Sequence, residues 1–182
     1  MDLHPFRPIN PGVGGDGEDE KKQVEEYRPR SDACGLYAAD VVFFAPISFQ
    51  TIQVRVADAL LPLSVLFGLP AVIGLTLGVL VGNLFASPFG AIDVVGGTIA
   101  NFVATLLALL IGERKFRGAW VAATSVEILV ITFIVGTYLA FLTETPLLFS
   151  LLYVMVGEVL SVGVGGYLLL NAVNRALRRS SL

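Results

Sequence analysis

Histidine, cysteine and charge are all scarce in this sequence. It has one histidine, His4, and one cysteine, Cys34, among 182 residues. A single cysteine excludes an internal disulfide, and one histidine in a polar segment argues against a Ser–His–Asp relay or a histidine-based metal site. No Walker phosphate-binding motif occurs, so ATP would have to be used by another polypeptide. We therefore expect neither an enzyme nor a cofactor.

Charge is concentrated at the N-terminus. Residues 1–32 hold eight acids and five bases, whereas the remaining 150 residues hold only seven of each. Fourteen charges are too few to solvate the surface of a globular domain of that length. The Pro-, Gly- and charge-rich composition of residues 1–32 predicts a disordered polar tail.

Apolar runs dominate the rest of the chain, which is 55% hydrophobic overall. They predict an all-α membrane protein, a bundle of about six transmembrane helices within residues 33–174, followed by a basic C-terminus at 175–182. A helix needs about 20 residues to cross the hydrocarbon. The first three predicted spans are shorter than this, and a re-entrant or buried helix is an alternative for the second. The predicted spans are 33–47, 57–69, 70–86, 93–112, 119–142 and 147–171.

Basic residues predict the orientation in the cell membrane. With six spans, three basic groups fall on one side, which the positive-inside rule makes the cytoplasm. Both termini are then cytoplasmic. The groups are Lys21, Lys22, Arg28 and Arg30; Arg114, Lys115 and Arg117; and Arg175, Arg178 and Arg179.

Small residues recur at four-residue spacing, as in close helix–helix contacts within membranes. We expect these stripes to pack inside the bundle, or, for the one on span one, against a partner helix. The stripes are Gly35 and Ala39; Gly74, Gly78 and Gly82; Ala100, Ala104 and Ala108; and Gly157, Ser161 and Gly165.

Polar residues within the predicted spans are the candidate functional residues, because ionisable groups at membrane depth are costly. Glu127 and Glu158 lie deepest, and the alternative for each is a protonated carboxyl that bonds a neighbouring helix. Arg55 and Asp58 are three residues apart and would be able to pair with each other. The other candidates are Asp40, Asn83, Asp93 and Asn101.

Residues 45–111 also contain a more specific pattern. Its pieces are Ala45–Phe49, Arg55–Leu60, Gly82–Leu84, Ser87–Gly90 and Asp93–Val95, with Gly157–Glu158 and Gly166–Leu169 further on. This pattern resembles the QueT family of energy-coupling-factor (ECF) transporter S components.

The resemblance implies a six-helix S component that captures a queuosine precursor, a 7-deazaguanine base, on the outer side. Such a subunit works with a transmembrane coupling protein and two ATPase subunits. Small residues on the first helix would dock the coupling protein, which points to Gly35, Ala38 and Ala39. Arg55 and Asp58 match the family's Arg-x-x-acid element and are assigned to a lid or to the site.

The ligand's chemistry fits the polar candidates. A guanine-like edge presents an N–H and an amino group side by side, which a carboxylate accepts in bidentate fashion. An aminomethyl substituent would need a second carboxylate. Glu158 and Glu127 are assigned these roles, Gln53, Asn83 and Asn101 would read the carbonyl and ring nitrogen, and Asp93 completes the set. Candidate stacking residues are Phe49, Trp120, Tyr138 and Tyr153.

Three alternatives remain at this point. The first is an S component for another vitamin or small molecule. The second is a membrane enzyme that uses Glu127, Glu158 and Asp93, although the sequence lacks an Asp-rich motif and metal-ligand spacing. The third is a structural membrane protein, which does not explain the acids in spans four to six.

Overall fold

The computed structural model describes residues 32–44, 55–114 and 116–180. Within those ranges every regular element is helical, which confirms the predicted all-α class. The described part contains six helices in chain order: α1 (residues 32–43), α2 (Val56–Phe67), α3 (Leu69–Ala86), α4 (Ala91–Gly112), α5 (Ala119–Leu142) and α6 (Leu147–Ser180).

Four helices, α3 to α6, are long and apolar enough to cross a membrane. Helix α2 has 12 residues and is shorter than the hydrocarbon at about 1.5–2.0 Å per residue. Its first eight residues, Val56–Leu63, form a 3₁₀ helix that contains Pro62. The second predicted span is therefore too short to cross the hydrocarbon as a single helix. Helix α2 packs mainly against α6.

Glycines with positive φ begin three of the helices. Gly68, Gly90 and Gly118 have φ of 70°, 70° and 93° and immediately precede α3, α4 and α5. A side chain at such φ values would be strained, so the tight turns depend on glycine.

Helix α6 extends beyond the predicted sixth span. It has three parts, Leu147–Glu158, a π-helical stretch Val159–Gly166, and Tyr167–Ser180. The helix continues beyond the predicted span end at residue 171 because no glycine or proline follows Gly166 and the polar end remains helical. The first helix, α1, ends at residue 43. Residues 45–47 of the predicted first span lie outside the described part.

The small-residue stripes mostly lie inside the bundle. A Cβ on Gly78 would come 2.7 Å from the Cβ of Tyr37, and one on Gly82 would come 2.9 Å from that of Val41, so α1 packs closely on α3. A Cβ on Gly166 would lie 2.8 Å from Pro62, which joins α6 to α2. The Ala100, Ala104 and Ala108 stripe is fully buried. Gly35 and Ala39 differ, because both are exposed on the outer face of α1.

Candidate functional site

Buried polar side chains from five helices and from the residue before α2 converge inside the bundle. Seven of the residues proposed from sequence belong to this set, and each is at most 3% exposed: Arg55, Asp58, Asn83, Asp93, Asn101, Glu127 and Glu158. Gln53 and Phe49 lie outside the described residues. Polar groups this deep in an apolar bundle are costly unless they have partners or a function.

The first group of contacts is centred on Asp93, in the first turn of α4. Its Oδ2 accepts a hydrogen bond from Ser87 Oγ at 2.5 Å, and its Oδ1 accepts one from Tyr138 Oη at 2.6 Å. Arg55 Nη2 lies 4.0 Å from the same carboxylate. Asp93 therefore ties the α3–α4 turn, α5 and the start of α2 together.

Asn83 completes this first group, which we call the Asp93 group: Arg55, Asn83, Ser87, Asp93 and Tyr138. The Asn83 side chain accepts a hydrogen bond from Arg55 Nη2 and donates one to the Asp93 carbonyl at 3.2 Å. Both ends of the Asn83 amide are thus engaged by protein. Its partners make Asn83 a support for Arg55 and Asp93.

The second group is a pair of carboxyl groups, Asp58 on α2 and Glu158 on α6, which lie within hydrogen-bonding reach of each other. Tyr37 Oη donates to Asp58 Oδ1. Among the described residues, Asp58 Oδ2 and Glu158 Oε2 have no hydrogen-bond partner. Two carboxyl groups in contact repel unless a proton or a cation lies between them.

Glu127 forms the third part of the site. It is fully buried on α5, eight residues after Ala119, or about 12 Å along the helix axis. Neither of its carboxyl oxygens has a hydrogen-bond partner within the described part of the chain. Ser64 faces it from α2, and the Ser64 hydroxyl also lacks a partner there. Glu127 presents two open acceptors.

Acids outnumber bases in this interior. In the described ranges, four acids are buried, Asp58, Asp93, Glu127 and Glu158, and Arg55 is the one buried base. Arg55 is close enough to attract Asp58, Asp93 and Glu158. The single positive charge of Arg55 can neutralise only one of the four buried carboxylates. The site therefore suits a ligand that brings hydrogen-bond donors or positive charge.

The remaining sequence candidates occupy different places. Asn101 donates to the Gly97 carbonyl at 3.2 Å, while its Oδ1 has no partner among the described residues. Tyr138 contributes through its hydroxyl. Tyr153 packs against the exposed Phe149, with ring centroids 6.4 Å apart. Trp120 lines a separate cavity near the Gly112 end of α4.

Sequence reasoning missed three residues that hold the site. Tyr37 lies on the face of α1 opposite Gly35 and Ala39, so the small-residue stripe was a usable signal for it. Ser64 was hidden because it follows Asp58 by six residues, a spacing that aligns two side chains in a 3₁₀ helix but separates them in an α-helix. Ser87 sits in a turn whose partner, Asp93, is six residues away.

A family model described as the QueT transporter matches residues 33–175. The chain belongs to the QueT transporter family. Searches among curated proteins and among solved structures gave no match. The QueT match covers every described site residue and begins after residue 32. It makes the protein a transporter with several membrane helices, which confirms the resemblance noted in residues 45–111.

Proposed function

We propose that this QueT-family protein is the substrate-binding S component of an ECF importer and captures a 7-deazaguanine precursor of queuosine. The observation that carries the proposal is the set of open carboxyl oxygens on Asp58, Glu127 and Glu158 inside an apolar bundle. A ligand with several donors would satisfy them. The 7-deazaguanine ring offers such donors on both of its long edges.

Glu127 is the proposed reader of the guanine-like edge. Its two open oxygens match the parallel N–H and amino donors of that edge, a bidentate arrangement that is strong because the acceptor is charged. Ser64, which faces Glu127, adds a hydroxyl that donates or accepts. Asn101 Oδ1 supplies another open acceptor for a ring N–H.

Asp58 and Glu158 are the proposed receptors for an aminomethyl substituent. An ammonium between the two carboxyl groups would relieve their repulsion and use the oxygens that lack partners. The Asp93 group serves a different purpose, because Asn83 and Asp93 are already engaged by Arg55, Ser87 and Tyr138. We assign it to holding the ends of α3, α4 and α5 over the ligand.

Ligand binding tests this proposal directly. Purified protein is titrated with 7-aminomethyl-7-deazaguanine and followed by calorimetry and thermal unfolding. We expect saturable binding, and Glu127→Gln to weaken it at least about tenfold, the loss of one charge-assisted hydrogen bond. Glu113→Gln is the matched control, because Glu113 is exposed in the α4–α5 turn.

The outcomes separate the remaining alternatives. Folded wild-type protein that binds no 7-deazaguanine would contradict the proposed substrate. Mass spectrometry of the small molecule that co-purifies then identifies an S component for a different compound.

The outer face of α1 is the proposed docking surface for the ECF coupling subunit. Gly35 and Ala39 are exposed, Ala38 is half-buried beside them, and Leu36 and Phe43 are 58% and 79% exposed. A Cβ on Gly35 would meet no atom within 4 Å. Small residues flanked by apolar ones allow another helix to approach closely.

Docking is tested with Gly35→Leu. We expect it to abolish uptake and co-purification with the coupling and ATPase subunits while ligand affinity stays unchanged. Ala91→Leu, which enlarges an exposed residue at the start of α4, is the control. Wild-type uptake by Gly35→Leu would remove this face from the docking surface.

A further inference from the structure

A cavity lies at the opposite end of the bundle from the Asp93 group. It has a volume of about 320 Å³, in the range of small-molecule sites. It opens where α4 ends and α5 begins, next to the middle of α6. The residues that line it are apolar or aromatic, and their polar and apolar atoms contribute nearly equally to the exposed lining: Gly112, Phe116, Gly118, Ala119, Trp120, Val121 and Tyr167.

The cavity sits at a membrane–water interface. Helices α4 and α5 are two of the membrane-crossing helices, and the cavity is at the shared end where they meet. Tryptophan and tyrosine are the side chains that prefer this depth, with rings in the apolar region and polar atoms toward water. Val121, in the first turn of the membrane-crossing helix α5, is 52% exposed, so the cavity is open to the surrounding lipid on that side.

The turn that contributes Phe116 and Gly118 to the cavity is positively charged. The turn between α4 and α5 carries Arg114 and Arg117, both exposed, against the single acid Glu113. Arg117 lies between Phe116 and Gly118, two residues of the lining. Helix α5 begins here without a side-chain cap and without an acid in its first turn, so its positive end is not neutralised by protein.

We propose that this cavity binds an anionic phospholipid from the adjacent leaflet, with the phosphate beside Arg114 and Arg117 and the start of an acyl chain against Trp120 and Tyr167. Guanidinium groups suit phosphate because they donate in a fixed, bidentate geometry. Trp120 and Val121, which line the cavity, follow this basic turn directly in the chain. A phospholipid has that same order of groups, charge first and hydrocarbon behind it.

The test uses the full-length protein, delipidated in detergent. Phosphatidylglycerol or phosphatidylcholine with identical acyl chains is added, and thermal unfolding and lipid retention in native mass spectrometry are measured. We expect phosphatidylglycerol to raise the melting temperature more and to be retained at one copy. Arg114→Gln with Arg117→Gln should lower its apparent affinity about tenfold, since charge-assisted bonds to phosphate are lost.

A matched variant separates a site from general surface charge. Arg175→Gln with Arg179→Gln removes the same charge from exposed positions near the end of α6, and it should keep the preference for phosphatidylglycerol. Trp120→Ala should reduce retention of the lipid without changing the net charge. Equal effects of the two lipids, or equal losses in the two double variants, would overturn the proposal.

Discussion

Glu158 and Glu127 are both buried glutamates, but their neighbours give them different roles. Glu158 contacts a second carboxyl group, Asp58, whereas Glu127 faces the neutral Ser64. If an ammonium sits between Asp58 and Glu158, discrimination between a 7-aminomethyl and a 7-cyano ligand depends on this pair. We expect Glu158→Gln to reduce that discrimination about tenfold or more and Glu127→Gln to weaken both ligands alike. Competition binding between the 7-aminomethyl and 7-cyano ligands measures this discrimination. Unchanged discrimination in Glu158→Gln would show that the Asp58–Glu158 pair does not recognise the ligand.

Tyr37 is expected to matter for stability through a single hydrogen bond. Its hydroxyl is buried and donates to Asp58 Oδ1. Tyr37→Phe leaves a buried carboxylate oxygen without that donor, at a cost of about 1–3 kcal/mol. We expect a lower melting temperature without ligand. Tyr153→Phe, whose ring lies beside the exposed Phe149, is the control and should change little. Equal effects in the two variants would contradict a specific role for the Tyr37 hydroxyl.

At the level of single residues, the sequence was informative about which polar groups are buried and less so about their partners. The seven polar site residues named above are all buried, whereas the candidate Asp40 is only half-buried on α1. A polar group within an apolar run favours the interior of the bundle, because exposure to lipid is costly. Partners depend on helix geometry, which a hydropathy pattern does not contain. Asp58 meets Tyr37 and Glu158 only because α1 and α6 flank α2, and Ser64 shares its face only in a 3₁₀ helix.

At the level of the helices, Gly97 on α4 controls how the Asp93 group is assembled. A Cβ there would lie 2.7 Å from Asn83 Nδ2 and 3.7 Å from Arg55 Nη1. Gly97→Ala should displace Asn83 and loosen α3 from α4, at a cost of about 1–3 kcal/mol. Gly163→Ala is the control, because its nearest contact is the flexible end of Ile128 at 3.3 Å. Thermal unfolding compares the two, and an unchanged melting temperature in Gly97→Ala would show that the group tolerates displacement.

Helix boundaries were predictable where glycine or proline punctuates the chain. The turns at Gly68, Gly90 and Gly118 fall where the predicted spans meet, since each requires positive φ. The end of α6 was not predictable in this way, because the apolar pattern stops near residue 171 while the helix continues through a basic stretch to Ser180. Hydropathy indicates where a helix leaves the hydrocarbon of the membrane, whereas backbone propensity determines where the helix itself ends.

For the whole molecule, the arrangement of the bases predicts that the N-terminus, the α4–α5 turn and the C-terminus share the cytoplasmic side. Cys34 is the sole cysteine, so Cys34→Ser gives a cysteine-free background. Single cysteines are then placed at two exposed positions, Phe116 in the α4–α5 turn and Thr143 in the α5–α6 turn. We expect a membrane-impermeant thiol reagent to label Thr143→Cys in intact cells and Phe116→Cys only after permeabilisation. Because α5 separates the two positions, they must differ if that helix crosses the membrane. The reverse pattern would put the proposed lipid cavity in the outer leaflet and the Asp93 group on the cytoplasmic side, and capture of a precursor from outside would then be contradicted.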